Sequence, residues 1–127
     1  MTTVVAAVIE RDGLILIARR KATGHHPLKW EFPGGKVEPD EAPEQAIVRE
    51  LAEELAIQAR IDREMMRYQY QYAERSPILL IFYRVDQFTG EPRNLQFEQI
   101  RWEQRERLLE YDFLEGDGEF LIWLAGA

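Results

Sequence analysis

Residues Arg49–Ile57 read RELAEELAI, a short helical run in which Glu50, Glu53 and Glu54 crowd together with Arg49 as their only basic neighbour. Like charges three and four apart on a helix each cost roughly 0.2–0.5 kcal/mol. At about 100° per residue, Ile47, Val48, Leu51 and Leu55 share one face, and the three glutamates occupy an adjoining arc. Glu54 projects within about 20° of Ile47. Docking the apolar face therefore carries at least one carboxylate to the edge of the buried zone, where water screens it less. Taken alone, the acids could equally form a solvated face; the flanking residues decide between the two.

Upstream, Pro43 suits a first helical turn, so the helix is expected from there to about Leu55. Its N-cap is then Ala42, a poor residue for the position by ~1 kcal/mol relative to Ser or Thr. Before it, Pro33-Gly34-Gly35 forbids regular structure, and glycine backbone can approach an ion closely because no side chain intervenes. Glu41 adds a carboxylate near the helix start. Hard divalent ions such as Mg²⁺ and Mn²⁺ take oxygen ligands in octahedral array, commonly shared with substrate phosphates. A missing cap and a like-charge cluster break two local rules in one place, and such violations gather at functional sites.

The rest of the chain supplies a mixed frame. Thr3–Ile9, the turn ERDG and Leu14–Ala18 form a hairpin pattern, and residues 19–29 a polar loop. Residues 64–73 alternate Tyr68, Tyr70 and Tyr72 with polar partners, which reads as a strand with a packed tyrosine face. Residues 78–85, ILLIFYRV, read as a central strand, residues 87–99 as a loop, and Ile100–Trp102 as a short strand. A short helical piece, RERLLEY, and a closing helix over residues 120–125 follow. Without regular βαβ alternation, the fold class expected is α+β, sheet and helix in layers. At 127 residues the chain fits a single domain, residues 1–127, large enough for a hydrophobic core.

Composition excludes several function classes. The chain is 46% apolar and 31% charged, has no apolar run of the ~18–20 residues a membrane span needs, and has no cysteine for disulfides or thiolate metal sites. Its start, MTTVVAAVIERDG, lacks a secretory signal's basic segment, so a cytoplasmic location is expected and no membrane partner. A net charge of −7 argues against duplex nucleic acid as a partner. It would also repel a phosphorylated small substrate, unless carboxylates hold divalent cations that reverse the local charge.

The pattern Gly35, five residues, Glu41, seven residues, then Arg49-Glu50-Leu51-x-Glu53-Glu54-x-Ala56-Ile57 resembles the Nudix box, G-x5-E-x7-R-E-U-x-E-E-x-G-U. Every charged position matches; Ala56 stands where the family has glycine, which implies a different helix exit or mild strain. WEFPGGKVEPDE, Arg19-Arg20 and the late DFLEGD are similar to the MutT-type branch, nucleoside triphosphate pyrophosphohydrolases. The resemblance implies a Nudix fold, a mixed β-sheet sandwiched between helices. It implies Mg²⁺ as cofactor, with Mn²⁺ as substitute, and a nucleoside triphosphate cleaved at the β-phosphorus to nucleoside monophosphate and diphosphate.

Residue by residue, the resemblance makes Glu53 and Glu54 metal ligands, Glu50 a ligand or the base that activates water, and the Gly34 carbonyl a further ligand. Arg49 orients the glutamates, with Glu41 as its partner or support. A distal carboxylate that completes the site in relatives falls nearest to Glu98, although Gln96 stands where the acid is expected. Arg20 corresponds to a phosphate contact, Phe32 to a residue packed near the base, and Asp117 to the residue facing the base edge. An aspartate there, in place of asparagine, reads a different edge unless it is protonated. His25 and His26 are expected in a loop at the nucleotide entrance rather than as a metal pair. Oxidised purine nucleotides such as 8-oxo-dGTP lead as substrate; CTP or 5-methyl-dCTP, or a nucleotide-sensing module without catalysis, are the alternatives. The oligomeric state is expected to be monomer or homodimer.

Overall fold

A computed structural model describes residues 1–127. In chain order the elements are β1 (Thr2–Arg11), β2 (Leu14–Arg19), β3 (Trp30–Glu31), β4 (Gly34–Lys36), α1 (Pro43–Leu55), β5 (Gln58–Tyr70), β6 (Ile78–Thr89), β7 (Gln99–Gln104) and α2 (Gly118–Gly126). Two short 3₁₀ turns, Arg105–Glu110 and Glu115–Asp117, lead into α2. β1 lies between antiparallel β4 and parallel β6, and β5 closes that side as an antiparallel neighbour of β6. β1 also pairs with β2 at Glu10–Ile15 and Arg11–Leu14; the two strands then diverge, and β2 pairs instead with β3 and β7.

Strand alternation sorts the core into two layers. Val5, Ala7 and Ile9 of β1, with Ile81, Tyr83 and Val85 of β6, pack against Ile47, Leu51 and Leu55 of α1. Ala6, Val8, Leu80 and Phe82 face the other way, toward Phe120, Leu121 and Leu124 of α2. There the Phe82 and Phe120 rings stack with centroids 4.0 Å apart. β1 is buried on both faces, which is why residues 3–9 read as nearly continuous apolar sequence. The result is the α+β arrangement expected, a mixed sheet between helices, and no helix is long and apolar enough to cross a membrane.

Three boundaries depart from the sequence reading. Pro33-Gly34-Gly35 was expected to be irregular, yet Gly34–Lys36 pairs with β1 in the register Val4–Lys36, Val5–Gly35 and Ala6–Gly34. The strand is set by what lies beside it, since a Cβ on Gly34 would stand 1.9 Å from the Val5 carbonyl oxygen. β5 begins at Gln58, six residues before the expected Glu64. Register shifts between Arg60 and Ile61, Ile61 and Arg63, and Glu64 and Met66 interrupt the period-two pattern that would have announced it. β6 runs on to Thr89, past the apolar run, as a pairing partner for that early part of β5.

α1 spans Pro43–Leu55 as expected. No side chain caps it from Ala42; the Gln45 Oε1 accepts the Ala42 N–H at 2.9 Å, half of a capping box. At the other end Ala56 takes the left-handed conformation, φ 57° and ψ 33°, while its N–H still donates to the Ala52 carbonyl. The glycine-type exit is thus kept and alanine bears its strain, a cost of about 1 kcal/mol. Ala56→Gly is expected to stabilise the fold by about 0.5–1 kcal/mol and raise Tm by about 2–5 °C in thermal unfolding. A lower Tm in that variant would mean the left-handed exit is not strained.

Candidate active site

The acidic row of α1 is unequally exposed. Glu54 is only 3% exposed, the Glu50 side chain 15%, and the Glu53 side chain 58%. β4 lies against this row: the Gly34 N–H donates to Glu54 Oε1 at 3.2 Å, and a Cβ on Gly35 would stand 2.5 Å from the Glu50 carboxyl carbon. Glycine is required at 35 because any side chain would fill the space over that carboxylate.

Arg49 holds the row from its exposed side. Its Nε and one Nη donate to both oxygens of Glu41, at 2.8 and 3.0 Å, and the same Nη donates to the Lys36 carbonyl. Its other Nη donates to Glu50 at 2.9 Å and, at 3.4 Å, to Glu53. The forked contact holds the Glu41 carboxyl down at about 2. Glu54 goes the other way: burial, then the Glu50 charge and a hydrogen bond shared with it, push its carboxyl up to about 9. Burial and the neighbouring Glu50 carboxylate thus both oppose a charge on Glu54, and a cation beside the two would relieve that opposition.

That is the test of fit for a divalent ion, and the residues pass it. The donors are all hard oxygens, buried Glu54 and partly buried Glu50 repel each other, and glycine backbone leaves the space beside them open. No three acidic or imidazole groups are already gathered around one point. Arg49 donates to both Glu50 and Glu53, so Glu53 would join Glu50 and Glu54 around an ion only by loosening its 3.4 Å contact.

A cleft of about 740 Å³ opens from this row and is walled by the loop after β2, the turn between β5 and β6, and the segment before α2. Glu50, Glu54, Gly34, Arg20, Phe32 and Asp117, all singled out by sequence, line it, as do His25 and His26. Arg20 is tied on two sides, to Glu31 at 3.1 and 3.3 Å and to the His25 carbonyl at 2.9 Å, which leaves its second Nη for a ligand. Phe32 is both wall and core, with its ring 5.1 Å from that of Phe113 and 5.7 Å from that of Phe120. Asp117 is buried, its carboxyl has no protein hydrogen-bond partner, and burial, reinforced by Glu31 and opposed by Arg20, pushes it up to about 8.

Glu98 is placed elsewhere: it is exposed and off the cleft wall, whereas Gln96 lines it. The sequence reading missed Glu31, Tyr72 and Arg75. Glu31 sits between buried Trp30 and Phe32, pairs with Arg20, and stands within electrostatic reach of both Glu54 and Asp117. An acid between two buried aromatics in a two-residue strand was its one visible signal. Arg75, whose Nη2 lies 3.1 Å from His25 Nδ1, has no carboxylate partner.

Known proteins bear on this arrangement. The model of the NUDIX domain family matches residues 1–124. The chain is 42% identical over 117 residues to the CTP pyrophosphohydrolase of Escherichia coli K12, covering 92% of this chain and 86% of that one. It is 38% identical over 98 residues to the 8-oxo-dGTP diphosphatase of the same organism, covering 77% and 75%. Among solved structures, the E. coli ORF135 protein superposes with a TM-score of 0.86 at 41% identity, over 96% of this chain and 86% of that one. The MutT NUDIX hydrolase of Burkholderia pseudomallei gives 0.85 at 27% identity, over 95% of each chain. With Gly35, Glu50 and Glu54 of the box against one cleft, Arg49 and Glu53 on the same helix, and the family matched over residues 1–124, the chain belongs to the NUDIX domain family of hydrolases.

Proposed function

We propose that this protein is a Mg²⁺-dependent nucleoside triphosphate pyrophosphohydrolase, releasing nucleoside monophosphate and diphosphate. The observation that carries the reading is buried Glu54 beside partly buried Glu50 beneath the β4 glycines, on a helix whose acids Arg49 orients. Gly34, Glu50, Glu53 and Glu54 would hold the metal; Glu98, exposed and outside the cleft, would join only through movement of its loop. When bound, the metal offsets the charge of the polyphosphate and lowers the pKa of a coordinated water. Arg49 keeps the glutamates in place, and a glutamate of the row takes the proton from the attacking water. The new bond forms from that oxygen to the β-phosphorus, the bond from β-phosphorus to the α-phosphate oxygen breaks, and the leaving oxygen departs on the monophosphate. Arg20 offers its free Nη to the phosphates, and Phe32 packs near the base.

Asp117 is the residue assigned to the base. Held neutral, its carboxyl presents an O–H donor beside a C=O acceptor. That edge complements a base offering an acceptor beside a donor: cytosine through N3 and its amino group, or 8-oxoguanine through O6 and N7–H. The 42% identity over 92% of the chain to an enzyme named for CTP favours the cytosine triphosphates; 8-oxo-dGTP is the second candidate. We read it further as a single domain that acts as a monomer, since one chain supplies every residue named, and as a cytoplasmic enzyme, since its proposed substrates are nucleoside triphosphates.

Incubating CTP, dCTP, 5-methyl-dCTP, dGTP and 8-oxo-dGTP with enzyme and Mg²⁺, then separating products, tests the reading. Monophosphate and diphosphate are expected, with activity abolished by chelation and restored by Mg²⁺ or Mn²⁺. Orthophosphate as product would overturn the cleavage position. Tight binding of a triphosphate without turnover would make the protein a sensor.

A further inference from the structure

The tyrosine stripe has a use beyond filling the sheet. Tyr68, near the end of β5, donates from its hydroxyl to the Gly116 carbonyl at 2.6 Å. Tyr72, two residues beyond the strand, accepts the Gly116 N–H on its hydroxyl at 2.9 Å. Both backbone polar groups of the residue before Asp117 are therefore held by phenol hydroxyls from one strand end. Tyr68 also accepts the Phe120 N–H at 3.3 Å, which ties the first turn of α2 to the same point. The fit is close: a Cβ on Gly116 would lie 2.7 Å from the Tyr72 hydroxyl and 3.3 Å from the Tyr70 ring. Burial pushes both the Tyr68 and Tyr72 hydroxyls up to about 12, so each keeps its proton across the working range.

Asp117, by contrast, is held by nothing at its carboxyl. Its backbone N–H donates to the Leu114 carbonyl at 3.0 Å, but the side chain lies buried at the cleft wall without a protein partner. Where that carboxyl points is decided by the backbone on either side of it. Upstream this is the doubly bonded Gly116, and downstream it is the α2 turn bonded to Tyr68.

We infer that Tyr68 and Tyr72 are positioning residues for base selection, acting through the backbone of Gly116 to aim the Asp117 carboxyl into the cleft. Neither hydroxyl needs to touch substrate. The inference rests on the assignment of Asp117 to the base, and the geometry alone makes Tyr68 the stronger of the two, with two bonds to Tyr72's one. A misplacement of about 1 Å in a group that must form two hydrogen bonds is enough to cost binding selectivity. The effect should fall on the preferred triphosphate, because a disfavoured base makes no bond to lose.

The test is a comparison of Tyr68→Phe, Tyr72→Phe, Asp117→Ala and the Tyr68→Phe/Asp117→Ala double variant, all assayed at saturating Mg²⁺ with the best and the poorest substrate of the triphosphate panel. Tyr68→Phe is expected to lower the ratio of the two kcat/KM values about tenfold, through KM of the preferred substrate with kcat near wild type, and Tyr72→Phe about threefold. In the Asp117→Ala background the loss of the Tyr68 hydroxyl should change the ratio no further, a non-additivity that a merely structural tyrosine would not show. If Asp117→Ala collapses the ratio while both phenylalanine variants keep the wild-type value, the positioning role is overturned and the base assignment stands. If Asp117→Ala itself leaves the ratio unchanged, the base assignment fails and this inference with it.

Discussion

Glu53→Gln is expected to lower turnover by roughly 10³-fold or more while leaving the fold intact, on the scale at which one electrostatic partner of a phosphoryl transition state acts. The side chain is more than half exposed and its protein contact is a 3.4 Å approach from Arg49, so its loss should change stability by no more than about 0.5 kcal/mol. Glu54→Gln should lose activity on the same scale and behave differently in the metal-free protein. Glu54 ionises near 4.5 when unfolded and at about 9 when folded. The native state therefore binds the extra proton between those values, and the stability this group contributes is complete below pH 4.5 and is lost as pH rises through about 9. Glutamine carries no such proton and preserves an oxygen to accept the Gly34 N–H. Calorimetric Tm values in chelator at pH 5.5 and 8.5 should then drop for wild type on going alkaline, with a smaller drop for Glu54→Gln. Wild-type turnover in Glu53→Gln would remove it from the ligand set, and equal pH slopes in the two proteins would mean Glu54 is not held neutral.

Helix geometry made much of that contrast readable from sequence. A 100° step puts Glu54 beside Ile47, and the structure buries it; the same step leaves Glu53 outside. The link from Arg49 to Glu41 was legible only through the resemblance to the Nudix box; in the structure Glu41, before the helix, meets Arg49 well inside it. Glu31 was not, since its surroundings come from Arg20 eleven residues earlier and Asp117 eighty-six residues later. β4 was hidden for the same reason: nothing local in Gly34–Lys36 forms a strand, and only the unpaired edge of β1 does. For Glu98 and Gln96, two residues apart, which one faces the cleft depends on how an irregular segment is anchored. Asn94 holds it, accepting the backbone N–H groups of Gln96 and Phe97 and donating to the Phe97 carbonyl. Side-chain anchoring of that kind leaves no periodicity to read.

Asp117→Ala should reduce kcat/KM for the preferred triphosphate by about 10²-fold and change that for a poorly matched base by much less, since a site built to hydrogen-bond an edge loses most where the edge fits. The pH dependence supplies the sharper check. Unfolded aspartate ionises near 3.8; in the fold burial holds the proton until about 8, with the Glu31 charge adding to that effect and Arg20 opposing it. Below about pH 8 the carboxyl both donates and accepts; above it the donor is gone and a cytosine N3 or purine O6 would face a charge instead. The ratio of kcat/KM between preferred and disfavoured bases should therefore hold from about pH 6 to 7.5 and fall toward pH 9. A ratio is the right quantity because titrations in the acidic row of α1 alter all triphosphates alike and cancel. Asp117→Asn keeps a donor beside an acceptor without a titrating proton. It should retain a substantial part of the wild-type preference and make it independent of pH across that range. A wild-type ratio that is flat to pH 9, or an asparagine variant that falls with the wild type, would mean that the base is read by some group other than a neutral Asp117.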